Sequence, residues 1–311
     1  MSEAPTPTPV PAVHDQTEPQ HISTSLEVET LDNNLFRSKS LHVPTQARGV
    51  FGGQVISQAL VCATRCVEPA YYLNSMHCYF LLSASPIVPI IYNVDRKGKT
   101  VFIMLCSFQR PESWQPHNYQ MPMPPNVPAP EQCQDTQIVY SRYLERPDVK
   151  PEVREFLEEF VKERLQSPLC IRHAHIRVLA DGGKTVMTWF KVRNMSNYTP
   201  GFQKCILSYI SDSNFIGAAA KVLDVDRFQK GDKHLSMTST LDHSIWFYDN
   251  DFDCGDWILY VVDTPRARLG RAVVIGRMYT ANGKLIAVTS QEGVMRVDVP
   301  GPDVPKLMSK L

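Results

Sequence analysis

The chain has 311 residues, of which 43% are hydrophobic and 21% charged, a composition typical of a globular protein rather than a disordered one. Lysine plus arginine and aspartate plus glutamate both number 32, so the formal net charge is zero, which argues against a general nucleic-acid binder. No apolar run reaches the roughly 18 residues of a membrane span, and no signal peptide is expected at the start. Eight scattered cysteines without a CxxC pair indicate buried thiols in a reducing compartment.

The two ends of the chain predict tails. Residues 1–22 begin with alternating proline and threonine, which form neither a helix nor a strand ladder, so we expect a disordered segment there. Residues 301–311 end in Ser309-Lys310-Leu311, the tripeptide that the peroxisomal import receptor reads. It predicts the peroxisomal matrix as the location and the import receptor as a partner. The alternative is a chance tripeptide.

Residues 23–110 predict a helix followed by strands. The segment 53–67 has a helical apolar pattern, and the segments 75–82, 86–96 and 99–109 are rich in β-branched and apolar residues. A linker follows at 111–166. It contains seven prolines from Pro111 to Pro130, a density that excludes regular structure, and then a charged helix from Glu152.

Residues 167–300 repeat the same order. A helix is predicted from Thr199 to Val222, with Thr199 as the N-cap, and strands are predicted at 234–247, 256–264, 271–280 and 284–297. Asn282-Gly283 is typical of a hairpin turn. The local sequences also match: 76–81 resembles 242–247, and 97–109 resembles 282–293. The chain is therefore predicted to be an α+β protein with two helix-plus-sheet repeats.

The first repeat is predicted to lack one strand. About 18 residues, including 271–280, separate the middle and last strands of the second repeat, whereas Asp95-Arg96 in the first runs straight into Lys97. Without the missing strand, its two neighbours would run parallel to each other, and only Asp95 to Lys99 would connect them. This connector is too short for a parallel crossover, which needs about a dozen residues or more. The first repeat must therefore pair its strands differently, leave strands unpaired or fold poorly.

Five segments carry a resemblance to a known family: VFGGQVISQAL, SMHCYFL, SYISDSNF, TLDHSIWF and TSQEGVMRV. Together with the terminal tripeptide they span about residues 25–311, and the chain resembles the type II acyl-CoA thioesterases, above all their peroxisomal members. The resemblance implies a double hotdog fold, in which an antiparallel sheet wraps a long helix in each repeat. It also implies hydrolysis of acyl-CoA to a free fatty acid and CoA, with no metal, no cofactor and no covalent intermediate.

The family's site residues match three positions, all in the second repeat. The resemblance implies that Asp212 is the catalytic acid-base group and that Thr240 and Gln291 are its partners. Apolar neighbours around Asp212 would raise its pKa and make it a better base at neutral pH. On sequence alone, a carboxylate on a solvated helix face and structural roles for Thr240 and Gln291 are the alternatives. An apolar slot between the two repeats is expected to hold the acyl chain.

The turn Gly52-Gly53-Gln54 begins the first helix and is a second candidate. Glycines allow close approach, and free N–H groups at a helix start favour negative charge, so these residues are predicted to contact the substrate carbonyl or phosphate. The alternative is that the glycines only relieve crowding against the sheet.

Other chemistries have little support. There is no G-x-S-x-G elbow, and neighbouring strand residues in Asp242-His243-Ser244 point to opposite faces, so they cannot form a triad. His173 and His175 could share a strand face, but no third metal ligand is evident. Two alternatives to the hydrolase remain: a catalytically impaired splice form or misjoined gene model that acts as an interaction protein, and another hotdog enzyme such as a hydratase. The oligomeric state is left open, including a homo-oligomer.

Overall fold

The computed structural model describes residues 19–94, 100–112 and 117–298. Most of the predicted N-terminal tail, the junction Arg96-Lys97 and the terminal Ser309-Lys310-Leu311 lie outside these residues, and the predictions about them stay predictions. Within the described ranges, no helix is long and apolar enough to cross a membrane.

The first repeat contains the predicted helix and strands, with one strand much reduced. In the described part of this segment, 86–94, only Ile91–Asn93 forms a strand, because Pro86 and Pro89 cannot donate to a ladder. Its elements are α1 (Ile22–Ser25), β1 (Val28–Asp32), β2 (Leu35–Ser38), α2 (Gly52–Arg65), β3 (Tyr72–Phe80), β4 (Ile91–Asn93) and β5 (Phe102–Gln109).

The linker and the second repeat contain elements beyond those predicted: a helix at 136–144, and two strands at 169–178 and 184–192 that precede the central helix. Two linker helices are α3 (Thr136–Leu144) and α4 (Pro151–Gln166). The second repeat contains β6 (Leu169–Val178), β7 (Lys184–Val192), α5 (Pro200–Ser211), α6 (Gly217–Leu223), β8 (Leu235–Thr240), β9 (Asp242–Phe247), β10 (Ile258–Arg268), β11 (Arg271–Thr280) and β12 (Leu285–Val297). The predicted hairpin turn between β11 and β12 is confirmed, with Gly283 at φ 87°.

The prediction of one helix from Thr199 to Val222 is wrong. Thr199 is the N-cap as predicted, and its hydroxyl accepts from the Phe202 N–H, but α5 ends at Ser211 and Asp212 is its C-cap. The backbone of Asn214 is left-handed, with φ 57°, a conformation that asparagine tolerates and that a helix cannot continue through. A carboxylate therefore lies at a helix end rather than along a helix face.

The Pro-rich segment runs over the outer surface of the second repeat. The Trp189 indole N–H donates to the Pro128 carbonyl at 2.9 Å, and the Gln120 amide donates to the Gly283 carbonyl at 2.8 Å. Met123 and Val127 pack against a small apolar cluster on this face of the sheet. The segment thus covers the sheet face opposite α5.

The second repeat has a complete sheet, in the order β6-β7-β10-β11-β12-β9, and β8 pairs with the far end of β12. β9 pairs with β3 of the first repeat, and β3 pairs with β5, so one nine-stranded sheet runs through both repeats. All these pairs are antiparallel. The predicted α+β architecture of two helix-plus-sheet repeats is confirmed.

The sheet of the first repeat is divided in two. β4 pairs with β2 just as β10 pairs with β7, and β5 pairs with β3 just as β12 pairs with β9. The strand that corresponds to β11 has no counterpart among the described residues, so β4 and β5 belong to different sheets. Of the three outcomes that the sequence left open, the described residues show a different pairing, with β4 and β5 in separate sheets.

The central helices α2 and α5 pack against each other in antiparallel directions. Near the start of α2, a Cβ on Gly53 would lie 2.8 Å from the Tyr209 carbonyl oxygen, close to the end of α5. At the opposite ends, a Cβ on Gly201 would lie 3.5 Å from Thr64 Cγ2. The start of α2 is therefore held beside the end of α5, above a core shared by both repeats.

Candidate active site

The structure brings the three predicted second-repeat residues together. The amide nitrogen of Gln291 lies 2.6 Å from Asp212 Oδ1, and the hydroxyl of Thr240 also donates to the Asp212 carboxylate. Thr240 ends β8 and lies opposite Gly293 of β12, so it reaches the carboxylate from the strand next to that of Gln291. A base at a helix end thus meets two donors from neighbouring strands.

The first repeat completes this arrangement. The backbone N–H of Gly53 donates to the same carboxylate, because α2 begins where α5 ends. A Cβ on Gly52 would lie only 2.8 Å from Asp212 Oδ2 and 3.1 Å from the Phe80 ring. The absence of a side chain at Gly52 is therefore what leaves space beside the second carboxylate oxygen.

The surroundings of Asp212 set its pKa. Burial is the largest influence and raises the pKa, while hydrogen bonds from Gln291, Gly53 and Thr240 lower it, and the pKa settles at about 6. Cys78 and Tyr260 also lie near this carboxylate, and burial raises the pKa of both well above the ordinary range, so both stay neutral. Asp212 is consequently ionised at neutral pH yet basic enough to accept a proton.

Gln54 lies apart from the carboxylate. Its side chain is buried and accepts from the His42 backbone N–H at 2.7 Å, and its amide donates to the carbonyl oxygens of Ser25 at 2.8 Å and Ser40 at 3.2 Å. These bonds hold the loop before α2 in place. They engage the side chain of Gln54 with the backbone of its own repeat, and its predicted contact with substrate stays a prediction.

One residue of the site was missed from sequence. His243, on β9, is completely buried, and its two ring nitrogens lie 3.2 Å from Gln291 Nε2 and 2.9 Å from the Ser211 hydroxyl. Along β9, His243 alternates inward with Ile245 and Phe247. A polar residue in an inward, otherwise apolar register was the signal available in the sequence.

Two other groups of residues that the sequence raised, Asp242-His243-Ser244 and the pair His173 and His175, are not assembled into a site. Asp242 accepts from the Glu292 backbone N–H and Ser244 bonds with His77, so neither converges with His243. His173 and His175 are separated by a register shift in β6, and His173 bonds weakly with Thr188 at 3.4 Å. In the described ranges, no group of three or more histidine, cysteine or acidic residues is arranged to hold a metal ion.

A cavity of about 610 Å³ lies beside the site, within the roughly 300–1,000 Å³ typical of ligand pockets. It runs between α4 and the sheet of the second repeat, with mainly apolar walls that include Phe156, Phe160, Phe190, Phe228 and Val262. Phe51, Tyr209 and Ser213 line it next to Gly52 and Asp212. The loop before α2 in the first repeat also lines the cavity, through His42, Pro44, Thr45 and Phe51, so both repeats and the linker helix contribute to its walls. The predicted slot for the acyl chain between the two repeats stays a prediction.

Comparison with known proteins gives two family matches. Residues 130–295 match the family model described as the acyl-CoA thioesterase C-terminal domain, and residues 40–103 match the N-terminal domain of the same family. Human acyl-coenzyme A thioesterase 8 is 31% identical over 296 residues, which cover 89% of this chain and 89% of the human protein.

Solved structures show the same architecture. An acyl-CoA thioesterase II, TesB2, from Mycobacterium marinum superposes with a TM-score of 0.66 at 26% identity, covering 88% of this chain and 98% of that one. A hot dog fold protein of unknown function from Alicyclobacillus acidocaldarius has a TM-score of 0.61 at 16% identity, covering 90% of this chain and 100% of that one. The second likeness concerns the fold alone, and the hotdog fold implied by the resemblance is confirmed.

Proposed function

Because the chain belongs to the type II acyl-CoA thioesterase family, and is thus an acyl-CoA thioester hydrolase, we propose that Asp212 is the general base of that hydrolysis. The observation that carries this proposal is the carboxylate of Asp212 with its three donors, Gln291, Thr240 and the Gly53 N–H. A pKa of about 6 leaves it ionised but basic at neutral pH, which is what a general base requires.

The reaction balances with water as the only co-substrate. Asp212 takes a proton from a water as the water oxygen bonds to the thioester carbonyl carbon. The carbon–sulfur bond then breaks, the fatty acid forms, and the proton on Asp212 passes to the CoA thiolate. Thr240 and Gln291 hold the carboxylate in place, and Gln291 Oε1, which has no partner in the described part of the chain, is an acceptor that the water can use.

The two glycines at the start of α2 have separate roles in this proposal. The N–H of Gly53 is engaged by Asp212, so it supports the base. Gly52 leaves the space beside Asp212 Oδ2 in which a thioester carbonyl can approach, and the N-terminal end of α2 favours the negative charge that develops on that oxygen.

The cavity beside Asp212 is the proposed site for the acyl chain. Its apolar walls and its position next to Phe51 and Ser213 support this placement. The linker helix α4 forms one wall, so we expect acyl-chain preference to depend on Phe156 and Phe160 as well as on the two repeats.

Location in the peroxisomal matrix is also part of the proposal. It rests on Ser309-Lys310-Leu311, the tripeptide read by the import receptor. A fluorescent fusion at the N-terminus should co-localise with a peroxisomal marker in cells and become diffuse when the last three residues are removed. Equal distribution of both fusions would exclude import through this tripeptide.

The activity is tested by thiol release from a panel of saturated acyl-CoAs by the purified chain. Asp212→Asn is expected to lower kcat by about 10³-fold or more, since general-base assistance is typically worth about 10²–10⁴-fold. Asp148→Asn, the same change in an exposed ion pair, serves as the matched control. A soluble, folded but inactive wild-type chain would favour the alternative of an impaired splice form. Near-normal activity of Asp212→Asn would remove Asp212 from the mechanism.

A further inference from the structure

His243 is tied into the site by both ring nitrogens. Its Nδ1 lies 3.2 Å from Gln291 Nε2, and its Nε2 lies 2.9 Å from Ser211 Oγ. The ring is fully buried and packs edge-on against Phe215 at 5.6 Å between centroids. The imidazole therefore has one rigid position and two polar neighbours, one on each side.

The hydrogen bonds determine which ring nitrogen carries the proton. Gln291 Nε2 faces the Asp212 carboxylate, so it must donate there, and its second hydrogen meets His243 Nδ1, which must accept. The Ser211 hydroxyl donates to the Ser208 carbonyl oxygen at 2.8 Å, so the oxygen of Ser211 accepts from His243 Nε2–H. Only the neutral imidazole with the proton on Nε2 satisfies all these bonds.

We propose that His243 is a positioning residue for the hydrolysis: its Nδ1 fixes the amide of Gln291 so that one hydrogen is held on Asp212 and Oε1 stays available to the water. Ser211, next to Asp212 in the chain, anchors the other side of the ring. The imidazole therefore links Gln291 on β12 to the end of α5, where Asp212 lies. The inference rests on the proposed function of Asp212.

A fixed acceptor matters because an amide can rotate. Without His243 Nδ1, the second hydrogen of Gln291 loses its buried partner, and the side chain is free to turn its nitrogen away from Asp212. Burial lowers the pKa of His243 to about 3, so the ring stays neutral at working pH and does not itself transfer the catalytic proton. The other titratable groups near Asp212, Cys78 and Tyr260, are neutral as well, so a change in the pKa of Asp212 can be traced to this hydrogen bond.

The test compares two replacements of similar size. In His243→Asn, the side-chain oxygen can occupy the place of Nδ1 and still accept from Gln291, whereas His243→Leu removes the acceptor. We expect His243→Leu to lower kcat by about 10–100-fold with little change in KM, the scale of a misplaced catalytic group. The acidic limb of its kcat/KM profile should move to higher pH, because a hydrogen bond that lowers the pKa of Asp212 is weakened. His243→Asn should retain most of the activity and the wild-type limb.

A second measurement needs no variant to fold. ¹⁵N spectra of histidine-labelled wild-type chain should show one buried ring in the neutral Nε2–H form from about pH 5 to about pH 8, well above its lowered pKa. A charged ring, or a proton on Nδ1, would overturn the proposal. So would a folded His243→Leu with wild-type kcat and pH profile. If Asp212→Asn were active as well, the proposed function would fail too; if Asp212→Asn were inactive, the inference about His243 alone would fail.

Discussion

The amide nitrogen of Gln291 lies 2.6 Å from Asp212 Oδ1, although 79 positions separate the two residues in the chain. The contact joins the end of α5 to the middle of β12, and it acts on the pKa of Asp212 against burial. Burial raises this pKa, the Gln291 hydrogen bond is the first of three that lower it, and the result is about 6. The reactivity of the carboxylate is therefore set jointly by one helix end and one strand.

The pH dependence of hydrolysis follows from this balance. A general base works only when ionised, so kcat/KM should rise with pH through about 6 and level off above it. Gln291→Leu removes a hydrogen bond that favours the ionised form of Asp212. The acidic limb of the kcat/KM profile of this variant should therefore shift to higher pH. Thiol-release rates between about pH 4.5 and 8.5 measure both profiles. Superimposable limbs would show that Gln291 does not set the pKa of the base.

The raised pKa of Asp212 also has a cost in stability. Its ordinary value is 3.8, so between about pH 4 and 6 the folded chain holds a proton that the unfolded chain releases, and stability falls as pH rises through this window. Asp212→Asn removes the titrating group and should stabilise the fold by about 1–3 kcal/mol at pH 8. Urea unfolding at pH 8 and at pH 4 tests this, since the gain should shrink at pH 4. A gain independent of pH would have another cause.

Gly52→Ala should reduce activity without unfolding the chain. The new methyl group would lie 2.8 Å from Asp212 Oδ2 and fill the space proposed for the thioester carbonyl, so we expect kcat to fall by about 10–100-fold. Gly201→Ala is the matched control, because its Cβ would make only an ordinary 3.5 Å contact with Thr64. Full activity of Gly52→Ala would show that the carbonyl approaches from elsewhere.

Glu163 ties α4 to the loop before α2. Its carboxylate accepts from the backbone N–H of Thr45 at 2.6 Å and from the Thr45 hydroxyl, and it lies 3.5 Å from His42 Nε2. Burial alone would raise its pKa, but the hydrogen bonds with His42 and Thr45 and the charge of Arg164 outweigh it and lower the pKa to about 2.

Glu163→Gln should therefore lose stability in a pH-dependent way. A depressed pKa contributes stability above the ordinary value of 4.5, and this contribution disappears as pH falls towards 2. We expect a loss of about 1–3 kcal/mol at pH 7 that narrows below about pH 4. Thermal unfolding across this range measures it, and Glu152→Gln on the same helix is the control. An equal loss of stability at pH 7 and below about pH 4 would mean that the ionisation of Glu163 does not contribute to the stability of the fold.

The open edge of β5 predicts self-association. No charged residue or proline interrupts Phe102–Gln109, and Leu105 is 71% exposed on its outer face, features that natural edge strands usually avoid. Leu105→Lys should reduce association, measured by light scattering against concentration, with little effect on thiol release. Leu165→Lys, on α4 and 52% exposed, is the control. Identical scattering by wild type and Leu105→Lys would exclude the β5 edge as the contact.

Much of the fold could be predicted from the sequence because it is encoded locally. The α2 start at Gly52, the Thr199 cap and the Asn282-Gly283 turn each depend on residues a few positions apart. The break after Ser211 could not be predicted, since asparagine at position 214 is compatible both with a continuing helix and with a left-handed turn. Tertiary packing decides between the two. The strand missing from the first repeat was visible only because the second repeat supplies a reference.

The site was predictable in part because three of its residues lie in short, recognisable segments of the sequence. Asp212, Thr240 and Gln291 were identified through short segments that resemble a family, and the structure brings them together. His243 lies in the segment Asp242-His243-Ser244, whose alternation along the strand excludes a triad. The alternation that excluded Asp242 and Ser244 also directs His243 inward, but its partner Gln291 lies on another strand, and no local pattern shows that pairing.

The antiparallel packing of α2 and α5 gives the duplicated fold an approximate twofold axis, and with it two equivalent corners. Gly52 faces Asp212 at one corner, and Gly201 faces Thr64 at the other. Thr64 occupies at its corner the place that Asp212 occupies at the other, and its hydroxyl is buried. A hydroxyl there cannot serve as a base at neutral pH. Each chain should consequently bind one reacting thioester, at the corner that carries Asp212.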